Sequence, residues 1–110
     1  MEVQDLLETR GFVRGDSALL RLAGELDIAT APLLADALTR CLVPGLLRLY
    51  IDVAALTFCD AAGIHALHAA HRTAHAHHTI LHLTGVHRRL RRTLLLYGAG
   101  ALLTSAMESR

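Results

Sequence analysis

Asp60-Ala61-Ala62-Gly63-Ile64 is the stretch of this chain whose residue types best suit chemistry at a surface. An apolar segment ends just before it, and two alanines and a glycine lead from the aspartate into a helical pattern. An aspartate at a helix start accepts hydrogen bonds from N–H groups that have no partner within the helix. The small side chains after it leave the other donors open to an approaching group, and a helix start attracts negative charge. The chemistry on offer is recognition, of a partner surface or a phosphate.

Three other groupings bear reactive side chains. His65, His68, His71, His75, His77 and His78 crowd one segment, and at helical spacing His68, His71 and His75 fall on one face. Imidazoles so spaced could share a Zn²⁺ or Ni²⁺, but no carboxylate or cysteine within that helix completes a site, so a solvated face is the simpler expectation and no metal is assigned. Charging together near pH 6, these histidines would repel one another and weaken the helix. His87-Arg88-Arg89-Leu90-Arg91-Arg92 places positive charge at another helix start, where the macrodipole opposes it. Either an acidic partner surface or a solvated face, with arginine stems covering apolar surface, accounts for the cluster. Cys41 and Cys59 form neither a disulfide framework nor a metal-ligand pattern and read as reduced, buried thiols. No Ser/His/Asp or Cys/His grouping and no glycine-rich phosphate loop suggests catalysis, so the chain is expected to be a binding protein without cofactor.

The composition is that of a globular chain, 53% hydrophobic and 19% charged over 110 residues, enough for one domain with one core. A formal net charge of +1 conceals polarity along the chain. Nine of the ten acids lie in residues 1–60, whereas residues 61–110 hold six arginines and all eight histidines. Such polarity suits a charged protein partner, and the overall charge is too small to favour nucleic acid. Acids at Glu2, Asp5 and Glu8 stand where a signal peptide would be basic. The longest uncharged run, Thr93 to Met107, would span roughly 22 Å as a helix against a hydrocarbon core of roughly 30 Å. A cytosolic protein without membrane insertion is expected.

Strands and helices alternate. A strand is expected over Ser17–Leu22, and a helix after Thr30-Ala31-Pro32, with Thr30 as cap and Leu33, Leu34, Ala37, Leu38, Cys41 and Leu42 as its apolar face. Pro44-Gly45 stops that helix. Leu46–Val53 alternates, with Leu47, Leu49, Ile51 and Val53 on one side, and predicts the clearest strand. The second helix should run from Ala61 to His77 on Ile64, Leu67, Ala70 and Ala74, with His71 and His78 towards its apolar side. A strand over Thr79–Val86 and a helix over His87–Tyr97 follow, the latter with Leu90, Leu94 and Tyr97 in its stripe and Gly98 and Gly100 at its end. Ala101–Thr104 reads as a short last strand, and Val3–Val13 adds one at the start. This order implies an α/β domain with parallel strand pairs and crossover helices.

Three pieces of the chain resemble the STAS domain family, named for sulfate transporters and anti-sigma factor antagonists. Gly24-Glu25-Leu26-Asp27 is similar to its turn before the first helix, Leu46–Leu56 followed by Thr57-Phe58 to its central strand, and Asp60-Ala61-Ala62-Gly63-Ile64 to its signature loop. The likeness spans roughly residues 17–103, leaving a short tail at 104–110 of a single domain over 1–110. It implies a mixed sheet of four to five strands with three to four helices. Many relatives carry a further helix after the last strand, for which only Thr104–Arg110 would remain here.

The resemblance implies more about function. In the antagonist branch, the residue after the signature aspartate is a serine phosphorylated by an anti-sigma factor that doubles as a kinase. Dephosphorylated antagonist binds that anti-sigma factor and frees the sigma factor. Here Ala61 holds the serine's place and Ala62 that of another frequently hydroxylated residue, while Thr57 and Cys59 lie on the far side of Asp60. A phosphoserine would add about −1.5 to −2 charge beside Asp60. Alanine locks the loop in its small, uncharged form, so the phospho-switch is expected to be absent. The implied role is an anti-sigma factor antagonist-like protein acting on sigma-factor-dependent transcription, its partner site formed by Asp27, Thr30, Asp60, Ala61, Ala62, Gly63, Ile64, His65 and His68. The alternative is a scaffold or accessory subunit of a signalling assembly or a transporter, and a more distant one is a histidine-rich metal- or pH-responsive protein.

Overall fold

The computed structural model describes residues 6–103. Their elements run β1 (Leu7–Arg14), β2 (Ser17–Leu26), α1 (Ala31–Cys41), β3 (Arg48–Cys59), α2 (Ala61–Ala76), β4 (Ile80–Thr84) and α3 (Arg88–Leu96), and residues 100–103 enter a further helix. The sheet order is β1-β2-β3-β4, with β1 antiparallel to β2 and the other two pairs parallel. The mixed four-stranded α/β sheet is the one that the family resemblance implies, and its two parallel pairs with crossover helices are those that the alternation implies. Right-handed crossovers stepping twice in the same direction place α1 and α2 on one face of the sheet. There Leu20, Leu49, Ile51, Val53, Leu81 and Leu83 meet Leu34, Leu38, Ile64 and Leu67 in one continuous core. On the opposite face Tyr50 stacks on His82, ring centroids 5.1 Å apart, and Arg21 pairs with Asp52 at 3.5 Å.

Several boundaries differ from the sequence expectation. β2 continues past Leu22 to Leu26, and β3 past Val53 to Cys59, because register shifts between Arg21 and Ala23 and between Gly24 and Glu25 keep the strands paired to their ends. Thr57 Oγ1 donates to the Gly24 carbonyl at 3.1 Å and adds a side-chain tie between them. Leu47 stands before β3 and is half-exposed rather than buried with its parity partners. The segment read as a last strand is helical over 100–103, with Leu102 fully buried, and Thr104 lies outside the described residues. The first strand spans Leu7–Arg14, and Val3 lies outside the described residues. Tyr97 is largely exposed, leaving Leu90 and Leu94 as the buried stripe of α3.

Two helices end in the same way on different residues. After α3, the Ala99 N–H reaches the Leu94 carbonyl and the Gly98 N–H reaches that of Leu95, with Gly98 at φ +72°. After α2, Thr79 N–H bonds the Ala74 carbonyl and His78 N–H that of His75, and the left-handed position falls to His78 at φ +61°. Both are Schellman caps, and the first follows the glycine preference for this site. His78 is therefore held exposed at the helix end, and not towards the apolar side of α2.

Two substitutions test this backbone reading by denaturant unfolding. His78→Gly should stabilise the protein by about 0.5–1 kcal/mol, by removing the strain of a side chain in the left-handed region. Gly24→Ala should destabilise it by about 3 kcal/mol, since Gly24 sits at φ +113° and a methyl there would meet the Leu6 carbonyl.

Candidate functional site

β2 and β3 run parallel and end in step, Leu26 opposite Cys59. The next residues, Asp27 and Asp60, therefore leave neighbouring strand ends at one rim of the sheet. In an α/β sheet the crevice outside the carboxyl ends of the strands is where ligands bind.

Each aspartate organises the chain that follows it. Asp60 is extended and caps α2, its carboxylate accepting the Gly63 N–H at 3.0 Å. The Ala61 and Ala62 amides find no acceptor among the described residues, and both alanines are partly exposed. Asp27 Oδ1 accepts the N–H groups of Ala29 and Thr30, each at 3.0 Å. Thr30 heads α1 but does not cap it through its side chain. Its hydroxyl instead donates to the Glu25 carbonyl at 2.8 Å and accepts the Asp27 N–H at 3.0 Å. Thr30 is buried and holds the turn that presents Ile28 and Ala29.

Gly63 joins the two halves of the rim. A methyl at this position would run into the Leu26 carbonyl and the Cys59 sulfur, so only glycine lets the first turn of α2 seat against the end of β2. Gly63 and Ile64 are buried, whereas His65 is exposed. His68 is partly buried, and its Nδ1 has no partner among the described residues. The expected site residues thus divide. Asp27, Asp60, Ala61, Ala62 and His65 reach the surface in part or in full, and Thr30, Gly63 and Ile64 shape it from within.

Beside this rim lies a groove of about 320 Å³ between α1 and α2, walled by alanines, among them Ala31, Ala35, Ala66 and Ala69. Ile28 stands at its mouth, 80% exposed. The sequence hid this groove, because alanines on two distant segments give no signal until the helices pack. A second cleft, of about 280 Å³, opens between the end of β3 and the first turns of α3. There His87 Nδ1 accepts the Leu90 N–H at 3.2 Å, capping α3. Its Nε2 then carries the proton and donates to the Leu56 carbonyl at 3.1 Å, tying α3 to β3 through the neutral ring.

Neither cysteine is an activated thiol. Burial pushes the Cys59 thiol up to about 12, and the adjacent Asp60 carboxylate adds to the rise, so the sulfur stays protonated. Burial also raises Cys41, with Arg40 opposing. Both cysteines are free. Among the described residues no three His, Cys, Asp or Glu side chains converge as a metal site would need. On the outer side of α2, burial holds His71 below the usual histidine range, with His68 and His75 adding to the effect.

Two measurements follow from these titrations. Neither cysteine should react with iodoacetamide at about pH 7.5 in the folded protein, and both should react once it is unfolded. His71 binds its proton less readily folded than unfolded, so the stability it contributes is complete above the unfolded value of about 6.5 and is lost as pH falls below it. The melting temperature should drop between about pH 7.5 and pH 5.5, and His71→Gln should flatten that dependence.

The comparisons with known proteins agree with this fold. An anti-sigma factor antagonist from Mycobacterium paratuberculosis superposes with a TM-score of 0.75 at 23% identity, covering 92% of this chain and 86% of that one. A sulfate transporter family protein from Wolinella succinogenes gives 0.71 at 25% identity, over 83% and 75%. The Bacillus cell fate determinant SpoIIAA in its phosphorylated form gives 0.64 at 18%, over 87% and 86%. Among curated proteins none matches the sequence. The family model described as "Mlab, STAS domain" matches residues 13–104, and the chain belongs to that STAS domain family.

Proposed function

We propose that this chain is a non-catalytic docking module that grips an anti-sigma factor of the kinase type, and so regulates sigma-factor-dependent transcription without a serine phospho-switch. One observation carries the reading. The rim formed by Asp27 and Asp60 lies beside an apolar groove with Ile28 displayed at its mouth, on a fold shared with anti-sigma factor antagonists. A large aliphatic side chain held outside the core beside an apolar groove is the usual anatomy of an interface centre. Ala61 holds the position of the family serine and offers no oxygen to a kinase, so binding would be constitutive.

The likeness to a sulfate transporter family protein supports a second reading, in which the same rim seats this domain as an accessory subunit of a transporter or a signalling assembly. Both readings use one surface and differ in what covers it.

Isothermal titration against candidate anti-sigma kinases separates them. Binding should weaken at least about tenfold with Ile28→Asp, which places a charge at the apolar mouth. Ala61→Glu should weaken it comparably by crowding negative charge against Asp60. Ala61→Ser, offered to a binding kinase with ATP, should take up phosphate. Absence of binding to every candidate, with co-purification of transporter subunits that Ile28→Asp abolishes, would assign the accessory role instead.

A further inference from the structure

Helix α3 carries charge that the other described residues do not pair. Arg88, Arg89, Arg91 and Arg92 are all exposed on its first turns. The ion pairs among the described residues are Arg21–Asp52 and Arg48–Asp16, so none of the four arginines meets a carboxylate of those residues. The first turn of α3 contains no acid. Positive charge there opposes the helix dipole, and no acid of that turn offsets it.

The same helix forms one wall of the 280 Å³ cleft. Leu56 and Leu90 lie buried beneath it, and Phe58 stands at its edge, 48% exposed. Arg89 and Thr93 line it from the α3 side. Arg88, Arg92 and the strongly exposed Leu96 continue the surface beyond them. The volume falls just below the roughly 300–1,000 Å³ typical of small-molecule pockets and suits an inserted side chain. An apolar slot bordered by guanidinium groups, each able to hold a carboxylate through two N–H donors, matches one kind of ligand.

We propose that α3 and the end of β3 form a second docking surface, for an acidic protein segment that inserts one leucine or phenylalanine between Phe58 and Leu90 while its carboxylates engage Arg88, Arg89 and Arg92. Charge complementarity argues for this occupant. An anionic bilayer is flat and does not enter the cleft, and the apolar stripe of α3, Leu90 and Leu94, already faces the core. This surface does not depend on the reading of the Asp27–Asp60 rim.

The test is fluorescence anisotropy with a labelled synthetic peptide of about twelve residues, rich in Glu and Asp around a central Leu-Phe, and a control peptide with Ser-Ser at the centre. The Leu-Phe peptide should bind the intact chain, and raising salt from about 50 to about 300 mM should weaken it roughly tenfold. Arg89→Glu with Arg92→Glu should weaken binding at least about tenfold and Phe58→Ala about fivefold, while Arg40→Glu on α1 changes it less than about twofold. All these side chains are exposed, and circular dichroism melts check that each variant keeps its fold; the salt response and the peptide control require no variant. Equal binding of the Ser-Ser peptide would overturn the proposal, as would indifference to the double charge reversal. Tighter binding to phosphatidylglycerol vesicles that ignores Phe58→Ala would overturn it in favour of a lipid-facing surface. Salt-sensitive self-association in sedimentation would make a second copy the occupant and overturn it as well.

Discussion

The close approach of α2 to the end of β2 is the contact on which the rest of this structure depends. Gly63 lies against the Leu26 carbonyl and the Cys59 sulfur with no room for a methyl. That contact fixes where α2 begins, and with it the direction of its first turn. Because β2 and β3 are parallel and end in step, the two aspartates that follow them emerge together. A wider separation would open the groove between α1 and α2, and the Asp60 cap would point elsewhere. Glycine at position 63 of this loop is thus a packing requirement.

The aspartates show how one residue type serves two ends. Each accepts backbone N–H groups that a helix start or turn would otherwise leave without partners, which is ordinary cap and turn chemistry. Each also leaves a carboxylate at the rim, giving it negative character on the α1–α2 side. Across the end of β3, α3 is strongly basic. The polarity of the sequence, acids in the first half and arginines and histidines in the second, becomes a polarity of one edge of the fold. Opposed fields of this kind steer the encounter of charged surfaces more than they add affinity.

His87 illustrates a role invisible in the chain. In sequence it belongs to a run of cations and reads as one more basic residue. In the structure its neutral ring accepts a helix N–H on one side and donates to a strand carbonyl on the other, which holds α3 against β3. The arginines beside it carry the charge, and the histidine carries the geometry. His78, by contrast, spends no ring chemistry on the fold and is conspicuous only for its backbone, placed where the equivalent cap of α3 has glycine.

What the sequence determined by itself was local. The periodicity of Ile64, Leu67, Ala70 and Ala74 specified the buried face of α2, and the alternation of Leu49, Ile51 and Val53 specified that of β3, because each pattern reflects one element's own geometry. The Asp60 cap, the stop at Pro44-Gly45 and the glycine end of α3 were legible for the same reason. Strand lengths were not, since β2 and β3 continue beyond their apolar runs only by bonding to each other. The strand expected over Ala101–Thr104 gives way to a helix over 100–103, because a short apolar run lacks a period and the packing of Leu102 decides. The alanine groove, the β3–α3 cleft and the inward turn of Thr30 were tertiary decisions. Each arises from residues far apart in the chain, or from a side chain choosing among several acceptors, and no local pattern records that choice.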